Sequence, residues 1–122
     1  MTIGQAIDRI DSLKHNIYSR SHKIEWLSRL DALVKAQIID TCEGGGEPFA
    51  GYDDDTDLGA PLLVCAPFDE IYLRWLEAQM DYANGEYDRY NNAITMFQSA
   101  FDSFSNFYRR NHMPKRTSFH YF

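Results

Sequence analysis

Apolar residues recur at alternating steps of three and four along most of the chain, and each such run predicts an amphipathic helix. In the first run Ile3, Ala6, Ile10, Leu13 and Ile17 share a face, with Thr2 and Gln5 at capping-box spacing ahead of it. Asn16, Ser19 and Ser21 interrupt the pattern with side chains that compete for the backbone, and either serine can cap a second helix. Its stripe is Ile24, Leu27, Leu30, Val34 and Ile38, with Glu25, Arg29 and Asp31 off the stripe, and it runs to about Asp40.

The period is lost over residues 41–61. Three consecutive glycines, Pro48, Gly51, the acidic run Asp53, Asp54, Asp55, Thr56, Asp57, then Gly59 and Pro61 all favour loop. A structureless stretch of that length inside a domain is expected to be either mobile or functional. Leu62, Leu63, Val64 and Cys65, bounded by Pro61 and Pro67, suit a short strand or half of a small hairpin.

Pro67 suits the start of a third helix, with Asp69 and Glu70 in the first turn and Phe68, Ile71, Tyr72, Trp75 and Leu76 on the buried face. Asn84 and Gly85 end it. The strongest periodic signal follows, a strict 3,4 alternation of Tyr87, Tyr90, Ile94, Phe97, Phe101, Phe104 and Tyr108, which predicts the longest helix over residues 87–108. Fourteen of the 18 aromatic residues lie between Phe68 and Phe122, so the last two helices are expected to supply most of the core volume.

The fold class is therefore all-α, a four-helix arrangement with a long acidic loop and room for one short strand or hairpin. Residues 1–113 form a single helical domain with the irregular loop 41–61 inside it, and Pro114 opens a tail over residues 114–122. The size, 122 residues, allows one core and not two.

Charge adds an asymmetry. Residues 41–88 carry one Lys or Arg against twelve Asp or Glu, whereas residues 89–122 carry five against one. An acidic surplus opposes general nucleic-acid affinity, while a basic tail seeks an acidic partner. The candidate interaction residues are thus Asp53, Asp54, Asp55 and Asp57 in the loop, with Lys115, Arg116, Phe119, Tyr121 and Phe122 in the tail. Three aromatics at an exposed end gain by burial, on the subunit's own surface or in a neighbour's groove.

Catalytic and ligand-binding motifs fail on inspection, so no enzyme, cofactor or metal site is expected. Asp53, Asp55 and Asp57 match the first three ligand positions of a calcium loop, but Leu58 and Val64 stand where its glycine and bidentate glutamate belong. The glycine triplet follows a helix and lacks the lysine of a phosphate loop. His15, His22, His112 and His120 show no metal-ligand spacing, and Cys42 and Cys65 fit free thiols better than a disulfide. The start of the chain lacks the basic and apolar segments of a secretory signal, and the apolar runs fall far below the ~20 residues of a membrane span. Asn91 and Asn92 are unusual inside a heptad pattern, and suit either a polar contact site or a hydrogen-bonded bridge between the third and fourth helices.

Several short motifs carry a resemblance: Trp26-Leu27-x-x-Leu30-Asp31, Tyr52-Asp53-x-Asp55-Thr56 with Leu62-Leu63-Val64, Pro67-Phe68-x-x-Ile71-Tyr72, and Asp81-Tyr82-x-Asn84-x-Glu86-x-x-x-Tyr90-Asn91-Asn92, then Phe97 and Arg109-Arg110. Together they resemble small structural proteins of tailed phages and prophages of Gram-positive bacteria, of the head-tail connector or adaptor type. The resemblance covers residues 24–114 and implies a helical virion subunit, made in the bacterial cytoplasm, that assembles in a ring. Its implied partners are further copies of itself and a portal or neighbouring neck protein, with DNA passing nearby but not read for sequence, and no membrane. The alternative is a small acidic regulatory or inhibitory binding protein that covers a basic surface of a host protein.

Overall fold

A computed structural model describes residues 1–44 and 46–113. The chain forms α1 (Ile3–Leu13), α2 (Arg20–Gln37), a 3-10 turn (Ile39–Thr41), a second 3-10 turn (Phe68–Glu70), α3 (Ile71–Ala83) and α4 (Tyr87–Asn111). The fold is all-α with four helices, and no strand occurs among the described residues.

The capping box at the start of α1 forms as its spacing predicts. Gln5 N–H donates to Thr2 Oγ1 at 3.2 Å and Thr2 N–H to Gln5 Oε1 at 3.0 Å. Ile3, Ala6, Ile7 and Ile10 are buried, but the two last members of the predicted stripe are not, with Leu13 72% and Ile17 91% exposed. The cause is Asn16. Its amide donates to Lys14 O and Asp11 Oδ1 while its oxygen accepts from Tyr18 N–H, so the side chain takes over backbone partners and the helix stops at Leu13.

Ser19 caps α2 by accepting from His22 N–H. Ile24, Leu27, Leu30, Val34 and Ile38 are all buried as a single stripe. Asp31, off that stripe by spacing, is buried as well.

The short strand predicted over residues 62–65 does not form, because three successive N–H groups go to three unrelated acceptors. Leu62 N–H donates to Met1 O at 3.0 Å, Leu63 N–H to Asp31 Oδ2 at 3.1 Å and Val64 N–H to the Tyr72 hydroxyl at 2.7 Å. A ladder needs one partner strand, and next to this segment Pro61 makes an isolated bridge with Thr2.

The hydrogen bonds that close the turn from α3 to α4 are backbone ones, with the Tyr82 ring packed across it on Tyr87 and Tyr90. Glu86 N–H donates to Asp81 O and Gly85 N–H to Tyr82 O, the Schellman pattern, with Gly85 at φ 75° where a side chain would be strained. Asn91 and Asn92 therefore do not bridge this junction; both are exposed on α4. Ring contacts pair Tyr82 with Tyr90, Trp75 with Phe97 and Phe68 with Phe104, so α4 runs back antiparallel along α3 and its leading turn.

Helices α1, α2 and α3 pack on one another, whereas α4 packs along α3 and the turn before it. The arrangement is a three-helix core with a fourth helix strapped to one side. The aromatic stripe consequently contributes less core than its spacing predicts. Phe97 and Phe104 are buried, but Tyr90, Ile94, Phe101 and Tyr108 are half-buried and Tyr87 is exposed. Aliphatic residues of α1 and α2, joined by Ile71, Tyr72, Leu76 and Met80, make up much of the interior.

Candidate functional site

A buried polar constellation surrounds Asp31. Its Oδ2 accepts hydrogen bonds from the Tyr52 hydroxyl and Leu63 N–H, and its Oδ1 accepts from the Tyr72 hydroxyl at 2.7 Å. Burial pushes the carboxyl above its ordinary value, and the three donors pull it part of the way back. Burial first, and the adjoining carboxylate second, push both phenols well up, which keeps them protonated and donating. Asp31, Tyr52, Leu63, Val64 and Tyr72 all belong to the motifs quoted for the phage resemblance. The identities of Asp31, Tyr52 and Tyr72 are accounted for by this cluster, which pins the loop to α2, while Leu63 and Val64 contribute backbone N–H groups.

The loop is held more firmly than its composition suggests. Tyr52 N–H donates to Ser28 Oγ at 3.0 Å, and Gly51 beside it has φ 88°, with a Cβ there falling 3.2 Å from the same oxygen. Removing the Tyr52 hydroxyl should release this anchor. In Tyr52→Phe, cleavage by a protease specific for Asp should become at least about tenfold faster over residues 53–57 than in the parent chain, since local opening there would cost roughly 1.4 kcal/mol less. Equal rates would show that the hydroxyl does not hold the loop.

The four acidic candidates fall in two successive turns, closed by Thr56 N–H to Asp53 O and by Ala60 N–H to Asp57 O. Asp55 N–H donates to Asp53 Oδ1, Asp53 N–H to Thr56 Oγ1, Gly59 N–H to Asp57 Oδ1, and Ser21 Oγ to Asp54 Oδ1 at 2.8 Å. The carboxylates of Asp53, Asp54 and Asp57 thus have structural partners, Asp55 contributes its N–H, and all four residues remain exposed. Among the described residues no group of three or more His, Cys, Asp or Glu is placed to hold a metal ion. Nor is any described helix long and apolar enough to cross a membrane.

Other polar features are internally matched. An open cleft of about 640 Å³ beside α1 brings Asp8, Asp11, Arg20 and Lys23 together, with Lys23 Nζ 2.6 Å from Asp11 Oδ1. Buried Asp81 lies 2.8 Å from Lys14 Nζ, at ion-pair distance but outside hydrogen-bond geometry, and ties α1 to α3. His22 and His112 bond to neighbouring turns, Cys42 is a buried free thiol and Cys65 an exposed one. Lys115, Arg116, Phe119, Tyr121 and Phe122 lie outside the described residues.

A feature that motif reading passes over is the outer face of α4. This helix spans 25 residues, yet residues 90–108 hold a single charged side chain, Asp102. Thr95, Met96, Gln98, Ser99 and Ser103 are exposed there. A solvated helix face ordinarily carries many charges, and depletion of charge is a property of contact surfaces. The signal was present in the sequence, hidden by attention to the aromatic stripe on the other side of the same helix.

The fold and this geometry define an all-α protein with one strapped, charge-poor helix and a pinned acidic loop. No protein-family model, curated protein or solved structure matches the chain.

Proposed function

We propose that the chain is a structural subunit of a tailed-phage or prophage particle, a head-tail connector that self-associates in a ring and docks on a portal-like partner. The observation that carries the contact half of this reading is the charge-poor outer face of α4, which no other helix among the described residues covers. The particle half rests on the motif resemblance. In the ring, α4 of one subunit lies against its neighbour, and the exposed acidic turn at residues 53–57 faces a basic surface on the partner. The alternative, an acidic inhibitor of a host protein, is favoured by that same rigid turn and predicts a strict monomer.

Two measurements test the proposal. Mass spectrometry of purified particles from the cell that encodes the chain should detect it at stoichiometric level, and its absence overturns the virion assignment. Light scattering should show a concentration-dependent oligomer. Ser99→Arg places a charge on the α4 face at an exposed site, so stability should change by less than about 0.5 kcal/mol while assembly weakens at least about tenfold. Unaltered assembly would remove α4 from the interface.

A further inference from the structure

We propose that residues 114–122 fold back and dock on their own subunit, in the groove between the end of α2 and residues 47–50 of the loop. The groove measures about 230 Å³, with Ile39, Phe49 and Leu63 on its apolar lining and Glu47 at its edge. That volume is below the roughly 300–1,000 Å³ of small-molecule sites and suits a single large side chain. Leu63 is 36% exposed there, an apolar residue left open beside an otherwise well-filled core.

The occupant is chosen by where the chain leaves α4. Met113 O accepts from Glu43 N–H at 2.9 Å, and Cys42, the residue before it, donates its N–H to Ile39 O. The end of the described chain is therefore fixed within four residues of the groove wall. Arg109 Nη2 holds the last turn of α4 at the same place by donating to Gln37 O at 3.1 Å.

Charge agrees with this direction. Glu43 holds the exit, Glu47 lines the groove, and Lys35, which also lines it, is paired with Asp40 at 3.0 Å. The surplus is acidic, and Lys115 and Arg116 are the second and third residues past Met113. At ~3.3 Å per residue, position 119 reaches up to about 20 Å from Met113, ample to bring Phe119 and the aromatics after it over Ile39 and Leu63. So short a tether gives an effective concentration in the millimolar range, so modest contacts suffice in cis. This inference stands apart from the connector reading, since a cis-docked tail fits a ring subunit or a monomer equally.

The test uses the full chain with photoreactive benzoylphenylalanine in place of Phe119, irradiated at a dilution where light scattering gives a monomer. Cross-links within one molecule to Ile39, to residues 47–50 or to Leu63 are expected, falling at least about tenfold in Leu63→Glu. Glu47→Lys, at an exposed position that the fold tolerates, should lower the yield severalfold and remove its sensitivity to salt. Cross-links between molecules at the same groove would make the tail an arm between copies and overturn cis docking. Cross-links elsewhere, none at all, or a yield indifferent to both substitutions would overturn the groove itself.

Discussion

Asp31→Ala should destabilise the fold by about 4 kcal/mol or more, because it strips the acceptor from three donors at once. The Tyr72 hydroxyl is fully buried and the Tyr52 hydroxyl and Leu63 N–H partly so, and each orphaned donor costs about 1–3 kcal/mol. Against a total of about 5–15 kcal/mol for a domain, that is enough to leave the variant partly unfolded. Tyr72→Phe should cost less, about 2 kcal/mol, since Asp31 keeps two donors while Val64 N–H loses its acceptor. Urea titration reads both. Near-parent stability of the Asp31→Ala chain would mean the cluster is hydrated in solution and does not pin the loop.

The same carboxyl gives a pH signature opposite in sign to ordinary acid denaturation. Its folded-state value is raised above 3.8, so between that value and the raised one the folded state holds more protons than the unfolded. Its contribution is therefore complete below 3.8 and is lost as pH rises through the folded value. Asp31→Asn removes the titration, so the stability difference between parent and variant should shrink as pH rises across this window. A difference that grows over the same range would place the folded-state value below the ordinary one.

The local features of the fold were legible because their physics is local. Thr2 with Gln5, Ser19, and Gly85 after Asn84 act within four residues, and the α2 stripe needs only a helical period. Asp31 was not legible. Its partners lie 21, 32 and 41 residues away, and next to Leu30 it reads as one more polar residue at the margin of a stripe. Ile17 was misread for a related reason, since periodicity counts residues without asking where a side chain such as Asn16 ends the helix. Of the candidate contact residues, the acidic run was visible in composition, but not that local hydrogen bonds set it into two successive turns.

The second large effect separates two phenylalanines that the sequence treats alike. Phe104 and Phe101 occupy the same stripe of α4, yet Phe104 is 2% exposed and enclosed by Phe68, Phe107 and Tyr108, while Phe101 is half-buried with Phe97 as its ring neighbour. Phe104→Ala leaves a cavity in close-packed surroundings and should cost about 3–5 kcal/mol. Phe101→Ala removes roughly half as much buried area at a site that can relax into solvent, for about 1–2 kcal/mol. Urea unfolding at low protein concentration should show this gap, and equal costs would contradict the one-sided packing of α4. Assembly through the outer side of α4 adds burial there by mass action, so the cost of Met96→Ala, small in the monomer, should grow with protein concentration while that of Phe104→Ala stays constant. Concentration independence of both would place the assembly contact elsewhere.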